Sequence, residues 1–310
     1  MAYSYAGRVI VITGGAGDIG MALAREIAPR GARVVLVDIR GERAERSAAS
    51  LAVHPSAGGG HTGLGCDLTQ RAQVEALIAR IEREFGRIDV LVNNAGMTSS
   101  ERFAERSVES IERELTVNLT APLVLTRLAI PLLENSTDPR IISTVSLGGV
   151  FPLGETPIYT ASKFGLRGAM LSIGLDLAQR GIRVGSVLPS ATDTRMLRQE
   201  AIEAGNSLQF QDPPQPPARV ARSMMSLLDR PRLEAYPRIG ESRLLRAVMT
   251  MPNVLPRLLP MFRKRGDRGM ARFMRELAAR GDIVQTEAGW ALAEGEAHPE
   301  LGSPAPEARP

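Results

Sequence analysis

The chain contains four tyrosines and two lysines, yet Tyr159 is followed four positions later by Lys163. The pair stands in TPIYTASK, where Thr156 and Pro157 suit the N-cap and first position of a helix, so the two side chains share one helical face. Proton transfer is the chemistry such a pair offers. A phenol titrates near ~10 and is a poor base at neutral pH, and an adjacent ammonium is the available means of lowering it. A second candidate is TGGAGDIG, Thr13 to Gly20, which joins a β-branched run to an amphipathic one. Gly14, Gly15, Gly17 and Gly20 permit a tight turn and a close backbone approach to a pyrophosphate at a helix N-terminus, with Asp18 and Ile19 between them. The next β-branched run ends at Asp38, close to the interval of about 20 residues at which a carboxylate binds the ribose hydroxyls and repels a 2′-phosphate. NAD(H) is therefore favoured over NADP(H), with Arg40 as the residue that could receive such a phosphate.

These groups need a scaffold, and the first 190 residues supply its pattern. Short runs (RVIVIT from Arg8, RVVLVD from Arg33, TGLGCD from Thr62, IDVLVN from Ile88, RIISTVS from Arg140, IRVGSVL from Ile182) alternate with amphipathic stretches near 19–30, 41–52, 70–85, 107–134 and 157–180. Repeated βαβ units of this kind predict an α/β fold, a Rossmann-type doubly wound parallel sheet with helices on both faces. RLEAYPRIG from Arg232 is a candidate last strand. Residues 1–240 are read as this dinucleotide-binding catalytic domain, 241–281 as a basic and apolar helical C-terminal appendage, and 282–310 as an acidic, largely disordered tail. Pro252, Pro256 and Pro260, four residues apart, predict short helical pieces rather than one long unkinked helix.

Composition narrows the function classes. The isoelectric point of 9.7 invites a nucleic-acid reading, but residues 1–194 carry 20 basic and 20 acidic side chains, and the excess falls in 195–281, with 17 against 8. Arginine supplies 36 of the 38 cations, and no aromatic residues interleave with them, so no nucleic-acid partner is expected. The single Cys66 leaves no disulfide framework and no zinc cluster, and no metal is expected. The N-terminus lacks the pattern of a secretory signal and no run reaches about 18 uninterrupted apolar residues, so a cytoplasmic location is expected.

TGGAGDIG, the NNAG at Asn93 to Gly96, Asn118, Ser146 and YTASK together resemble the short-chain dehydrogenase/reductase family, over about residues 6 to 237. The resemblance implies that Tyr159 is the acid/base and that Lys163 lowers its pKa and holds the nicotinamide ribose. It further implies that Ser146 bonds the substrate oxygen and that Asn118 holds a water in the proton path. Asp67 would contact adenine, Asn94 would support the central strand and Thr194 would meet the carboxamide, with Leu68, Ala95, Gly96, Pro189 and Thr192 among the cofactor contacts. Asn118 has a physical argument of its own: the N–H that would bond its carbonyl in a helix belongs to Pro122, which has none. Two positions depart from the family pattern, where Asp18 and Ser190 replace glycines.

The expected activity is therefore interconversion of a secondary alcohol and a ketone with NAD(H). Met97 onward, Leu147 to Leu153 and Arg195 to about Gln211 are the expected pocket segments. Leu147, Val150, Phe151, Leu153, Met196 and Leu197 favour a lipophilic substrate. An NADP(H)-dependent carbonyl or 3-oxoacyl reductase is the alternative enzyme. A catalytically silent nucleotide-binding sensor is the alternative of another class, for which Asp18 and Ser190 speak. A homodimer or homotetramer is expected. The run from Arg243 to Arg265 alternates apolar and basic residues; peripheral membrane contact is one reading, and packing on its own domain or on a partner subunit is the preferred one.

Overall fold

The computed structural model describes residues 2–203, 205–287 and 289–293. Strands and helices alternate as β1 (Val9–Thr13), α1 (Asp18–Ile27), β2 (Arg33–Asp38), α2 (Gly41–Ala49), β3 (Thr62–Gly65), α3 (Arg71–Phe85), β4 (Val90–Asn93), α4 (Val108–Leu115), α5 (Ala121–Glu134), β5 (Arg140–Thr144), α6 (Pro157–Leu177), β6 (Arg183–Val187), α7 (Arg195–Ile202), α8 (Pro217–Asp229) and β7 (Glu234–Ala235). Seven strands form one sheet in the order β3-β2-β1-β4-β5-β6-β7, and every pairing is parallel. Strand order reverses between β1 and β4. In an open α/β sheet the crevice at the carboxyl ends of the strands flanking such a reversal is where ligands bind.

The strands read as near-continuous apolar runs because both faces of the sheet are covered. Alternate residues of β1 and β2 divide between two cores. Ile10, Ile12, Val34 and Leu36 pack on Leu23 and Ile27 of α1 and on Val220 and Met224 of α8. Val9, Val11, Val35 and Val37 pack on Leu77 and Ile81 of α3, Leu125 of α5 and Met170 of α6. The segment Val108–Glu134 is long and apolar enough to cross a membrane by length and composition, but here it supplies Leu125, Ala129, Leu132 and Leu133 to the second core.

The C-terminal part corrects two expectations. After α9 (Ile239–Val248), residues Leu255–Arg280 form one helix of 26 residues, α10. The prolines do not break it because they gather at its start. Pro252 lies in a preceding 3-10 turn, Pro256 sits in the first turn where its missing N–H has no intrahelical partner, and Pro260 alone interrupts a bond. The acidic tail begins with an ordered hairpin, β8 (Ile283–Thr286) and β9 (Gly289–Leu292). Its Ile283 and Leu292 join Leu197, Ala201, Phe210, Phe273 and Leu277 in a third core. Residues 294–310 lie outside the described residues.

That third core ties the extension to the segment after β6. Gly266 and Gly269 of α10 let it come so close that a Cβ would lie 2.3 Å from the Ser207 carbonyl oxygen and 1.9 Å from that of Phe210. The Phe210 and Phe273 rings are 5.5 Å apart, Arg265 pairs with Asp212 at 3.1 Å and Arg263 with Glu155 at 2.8 Å. Two cations of the 243–265 run are thus engaged within the chain. Gly269→Ala is expected to lower stability by about 1–3 kcal/mol through overpacking. By contrast Gly168→Ala, in α6 with nothing within 4 Å of the new Cβ, should raise it by about 0.5–1 kcal/mol. Urea denaturation of the two variants checks both signs.

Candidate active site

Leaving β1, the backbone turns through Gly14 with φ at 57°. A Cβ at Gly14 would lie 2.9 Å from Ala95 Cα, at Gly15 2.7 Å from the Ile12 oxygen, and at Gly20 2.6 Å from the Gly14 oxygen. A side chain at any of these would force the turn apart. Gly17 occupies the N-cap of α1 without a side-chain bond, so the loop is a bare backbone cradle at a helix N-terminus. That arrangement fits a dinucleotide pyrophosphate. Ile19 is partly buried against the first core. Asp18, whose carboxylate would repel a phosphate, turns away: its Oδ2 accepts the backbone N–H of Arg195, the first residue of α7, at 2.8 Å.

At the end of β2 the Asp38 carboxylate accepts the Arg40 N–H at 3.2 Å, which brings the two residues weighed for cofactor choice to one rim. Asp67 Oδ1 holds the turn after β3 by accepting from Thr69 N at 2.9 Å and Thr69 Oγ1 at 2.7 Å, and Leu68 packs on the second core. Asn94 joins three strands. Its Nδ2 donates to the Thr13 and Gly14 carbonyls at 3.2 and 3.3 Å, and its Oδ1 accepts from Thr144 Oγ1 at 3.0 Å. Thr13 Oγ1 in turn accepts the N–H groups of Asn94 and Ala95. Gly96 follows, at the point where a Cβ would sit 3.3 Å from Asn118 Oδ1 and 3.5 Å from Lys163 Nζ.

The expected single helix around Asn118 is interrupted. Thr116–Thr120 form a π-turn in which the Ala121 N–H reaches the Thr116 carbonyl, and Pro122 opens α5. The missing proline N–H is accommodated by widening the helix, and such turns are frequent at functional sites. Asn118 is fully buried. Its amide pairs with the Met97 backbone in both directions at 2.8 Å, and Nδ2 also donates to Ser162 Oγ at 3.2 Å. Its side chain thus fastens the segment after β4 to α6, beside Lys163.

Ser146 lies just beyond β5 in extended backbone, its Oγ accepting the Gly148 N–H at 3.0 Å. Tyr159 and Lys163 lie on α6, where Thr156 holds the N-cap position; the expected side-chain cap is not made, because the Thr156 hydroxyl is buried without a partner. The Lys163 ammonium lies 5.5 Å from the Tyr159 ring centroid and donates to the Thr144 carbonyl at 3.2 Å. Burial pushes the Tyr159 phenol up to about 12, a hydrogen bond from Ser146 opposes this, and Glu200 and Glu114 add to the rise. Burial also brings Lys163 down to about 8, against the pull of Glu114. Desolvation penalises both charged forms and outweighs their attraction.

Across the cleft, the Pro189 carbonyl accepts the Leu147 N–H at 2.8 Å, Thr192 Oγ1 donates to the Ser190 carbonyl at 2.9 Å, and Thr194 caps α7 through the Leu197 N–H at 3.3 Å. The Ser190 hydroxyl accepts from Gln215 Nε2 at 3.4 Å. Of the apolar residues expected to line the pocket, Leu147 and Val150 belong to the second core and Leu197 to the third. Leu153 stands against the reacting pair: its Cδ1, Tyr159 Cε1 and Ser146 Oγ all lie within 3.4 Å of the point a Gly148 Cβ would occupy. Sequence reading passed over Arg106, Glu114 and Glu200, which are buried close by. For Glu114 a signal existed, since it lies one helical turn before Asn118 and on the same face.

Residues 8–204 match the family described as short chain dehydrogenase. Among relatives, the momilactone A synthase of Oryza sativa subsp. japonica is 36% identical over 64% of this chain and 73% of that protein. The D-threitol dehydrogenase of Mycolicibacterium smegmatis is 32% identical over 61% of this chain and 72% of that protein. The 3beta-hydroxysteroid dehydrogenase of Mediterraneibacter gnavus is 30% identical over 63% of this chain and 70% of that protein. The match takes in the cradle and the proton-transfer group alike, and the chain accordingly belongs to the short-chain dehydrogenase family of oxidoreductases.

Proposed function

We propose that this oxidoreductase interconverts a secondary alcohol and a ketone with NAD(H), and that Tyr159, Ser146, Lys163 and Asn118 carry the proton chemistry. The observation that supports it most directly is the convergence of the three groups: the Tyr159 ring edge and Ser146 Oγ both lie within 3.3 Å of the point a Gly148 Cβ would occupy, and the buried Lys163 ammonium is 5.5 Å from the Tyr159 ring centroid. A nicotinamide dinucleotide in the Gly14–Gly20 cradle supplies the hydride donor or acceptor. In reduction, Ser146 Oγ holds the carbonyl oxygen and Tyr159 gives it the phenolic proton. In oxidation, the Tyr159 phenolate takes the hydroxyl proton as hydride leaves the carbinol carbon. A phenol at about 12 is protonated at neutral pH, the form that reduction uses. Lys163 and Asn118, whose side chains approach one another at Gly96, are the groups through which Tyr159 would be reprotonated.

Asp38 supports NAD(H), since its carboxylate faces the rim where a 2′-phosphate would lie. Arg40, bonded through its N–H to that carboxylate, favours the second reading, an NADP(H)-linked carbonyl or 3-oxoacyl reductase. Leu153, beside Tyr159, supports a substrate with an apolar flank. Against the silent-sensor reading stands the Asp18 carboxylate, which is turned to the N-terminus of α7. A cytoplasmic setting remains our proposal, on the ground of the lone Cys66.

Tyr159→Phe should cut turnover by about 10²–10⁴-fold while NADH still binds, as read by cofactor fluorescence; near wild-type turnover would refute the assignment. Asp38→Ala should narrow the preference for NAD over NADP by about tenfold or more, measured as the ratio of kcat/KM for the two. Raising pH populates the phenolate, so kcat/KM for oxidation should climb on the alkaline side and that for reduction should fall. A panel of aliphatic, aromatic and steroid-like alcohols and ketones, run with both cofactors, tests the reaction class.

A further inference from the structure

Close to the proton-transfer pair lies a buried ion pair with no part in the mechanism above. Glu114 of α4 is fully buried and the Arg106 side chain is 1% exposed, with Nη2 at 2.5 Å from Glu114 Oε2. Arg106 is fixed on the other side by Ser110, its Nε donating to Oγ and its Nη2 to the carbonyl, both at 3.1 Å. Glu114 has no hydrogen-bonding side chain or backbone group beyond this guanidinium among the described residues. Burying two charges is costly even when they pair, and well-packed apolar residues often replace such a pair without loss. Fold stability alone is therefore a weak reason for it.

Position supplies a better one. Glu114 lies one helical turn before Asn118 on the same face, and Asn118 bonds Ser162, the neighbour of Lys163 on α6. Asn118 Oδ1 and Lys163 Nζ both lie within 3.5 Å of one point, the Cβ site of Gly96. We propose that Glu114, paired with Arg106, is the counter-charge of the Lys163 ammonium and thus a positioning residue for the proton-transfer pair. The charges alternate from Arg106 through Glu114 to Lys163, so each buried ion has an opposite neighbour.

The groups that bear on this arrangement are few. Glu114 from α4 is the charge that acts on Lys163, and burial is what it opposes. Burial raises the Glu114 carboxyl, and Arg106 and Lys163 oppose that rise. Glu200 of α7 acts on Tyr159 and is faced by Glu203, Glu114 and the Gln209 amide. Because Glu114 raises Tyr159 directly and also sustains the cation beside it, its removal acts on the phenol in two opposite senses. Lys163 responds in one sense only and is the group to observe.

The chain has two lysines, Lys163 and the exposed Lys264, so lysine labelled with ¹³C and ¹⁵N gives two side-chain titrations by NMR. The cofactor-free full chain is used. The proposal rests on Lys163 belonging to the reacting centre, yet this readout stands whether or not turnover is found. Lys163 should titrate near 8 in the native protein and about one to two pH units lower in Glu114→Gln, with Lys264 unmoved. A Lys163 curve that superposes on the native one in a folded Glu114→Gln overturns the proposal. The paired substitution Arg106→Met with Glu114→Gln removes both ions of the pair and covers the case in which a lone Arg106 prevents folding. It should move Lys163 in the same direction by less, and an unmoved Lys163 there overturns the proposal equally. A purely structural pair would change the melting temperature and leave Lys163 where it is.

Discussion

The site depends on the side-chain amide of Asn94. It reaches back to the Thr13 and Gly14 carbonyls of β1 and its turn and accepts the Thr144 hydroxyl of β5, so three adjacent strand ends are held in one register. The glycine cradle leaves β1, the Asn94–Gly96 segment leaves β4, and Ser146 leaves β5. A slip between any two would separate the pyrophosphate cradle from the hydroxyl that must meet the substrate. Because Thr13 Oγ1 also takes the Asn94 and Ala95 N–H groups, backbone donors that strand pairing leaves over at the reversal point are satisfied locally, as a buried crevice requires.

The two departures from the family pattern become intelligible against this frame. Where a glycine would leave the cradle bare, Asp18 extends from it to the first N–H of α7. Where a glycine would follow Pro189, Ser190 accepts from the Gln215 amide ahead of α8. The first joins the nucleotide-binding frame to α7, and the second ties the turn after β6 to the stretch that leads into α8. α10 then holds the same segment from outside through Phe273 against Phe210 and through two glycines that bring the backbones together. The extension thus walls that segment from outside.

Low dielectric governs the chemistry inside that wall. Burial raises Tyr159 and lowers Lys163 together, so an i, i+4 spacing of phenol and ammonium does not by itself give a lowered phenol. Ser146 opposes the rise of Tyr159 and Glu200 adds to it, while Glu114 raises both groups.

The sequence by itself determined the order of strands and helices, the doubly wound class, the glycine turn and the helical face shared by Tyr159 and Lys163. These follow from local periodicity, from steric demands on φ and from hydrophobic runs that leave few choices. Only the tertiary structure decided where Asp18 and Ser190 point, that Leu147, Val150 and Leu197 belong to cores, and that Arg106 and Glu114 meet beside Lys163. It also decided that residues 255–280 form one helix, since prolines confined to its first turns leave the remainder free to pack on Phe210. The reason is common to all of these: each is set by what a side chain meets across the fold, and burial there changes both its partners and its charge.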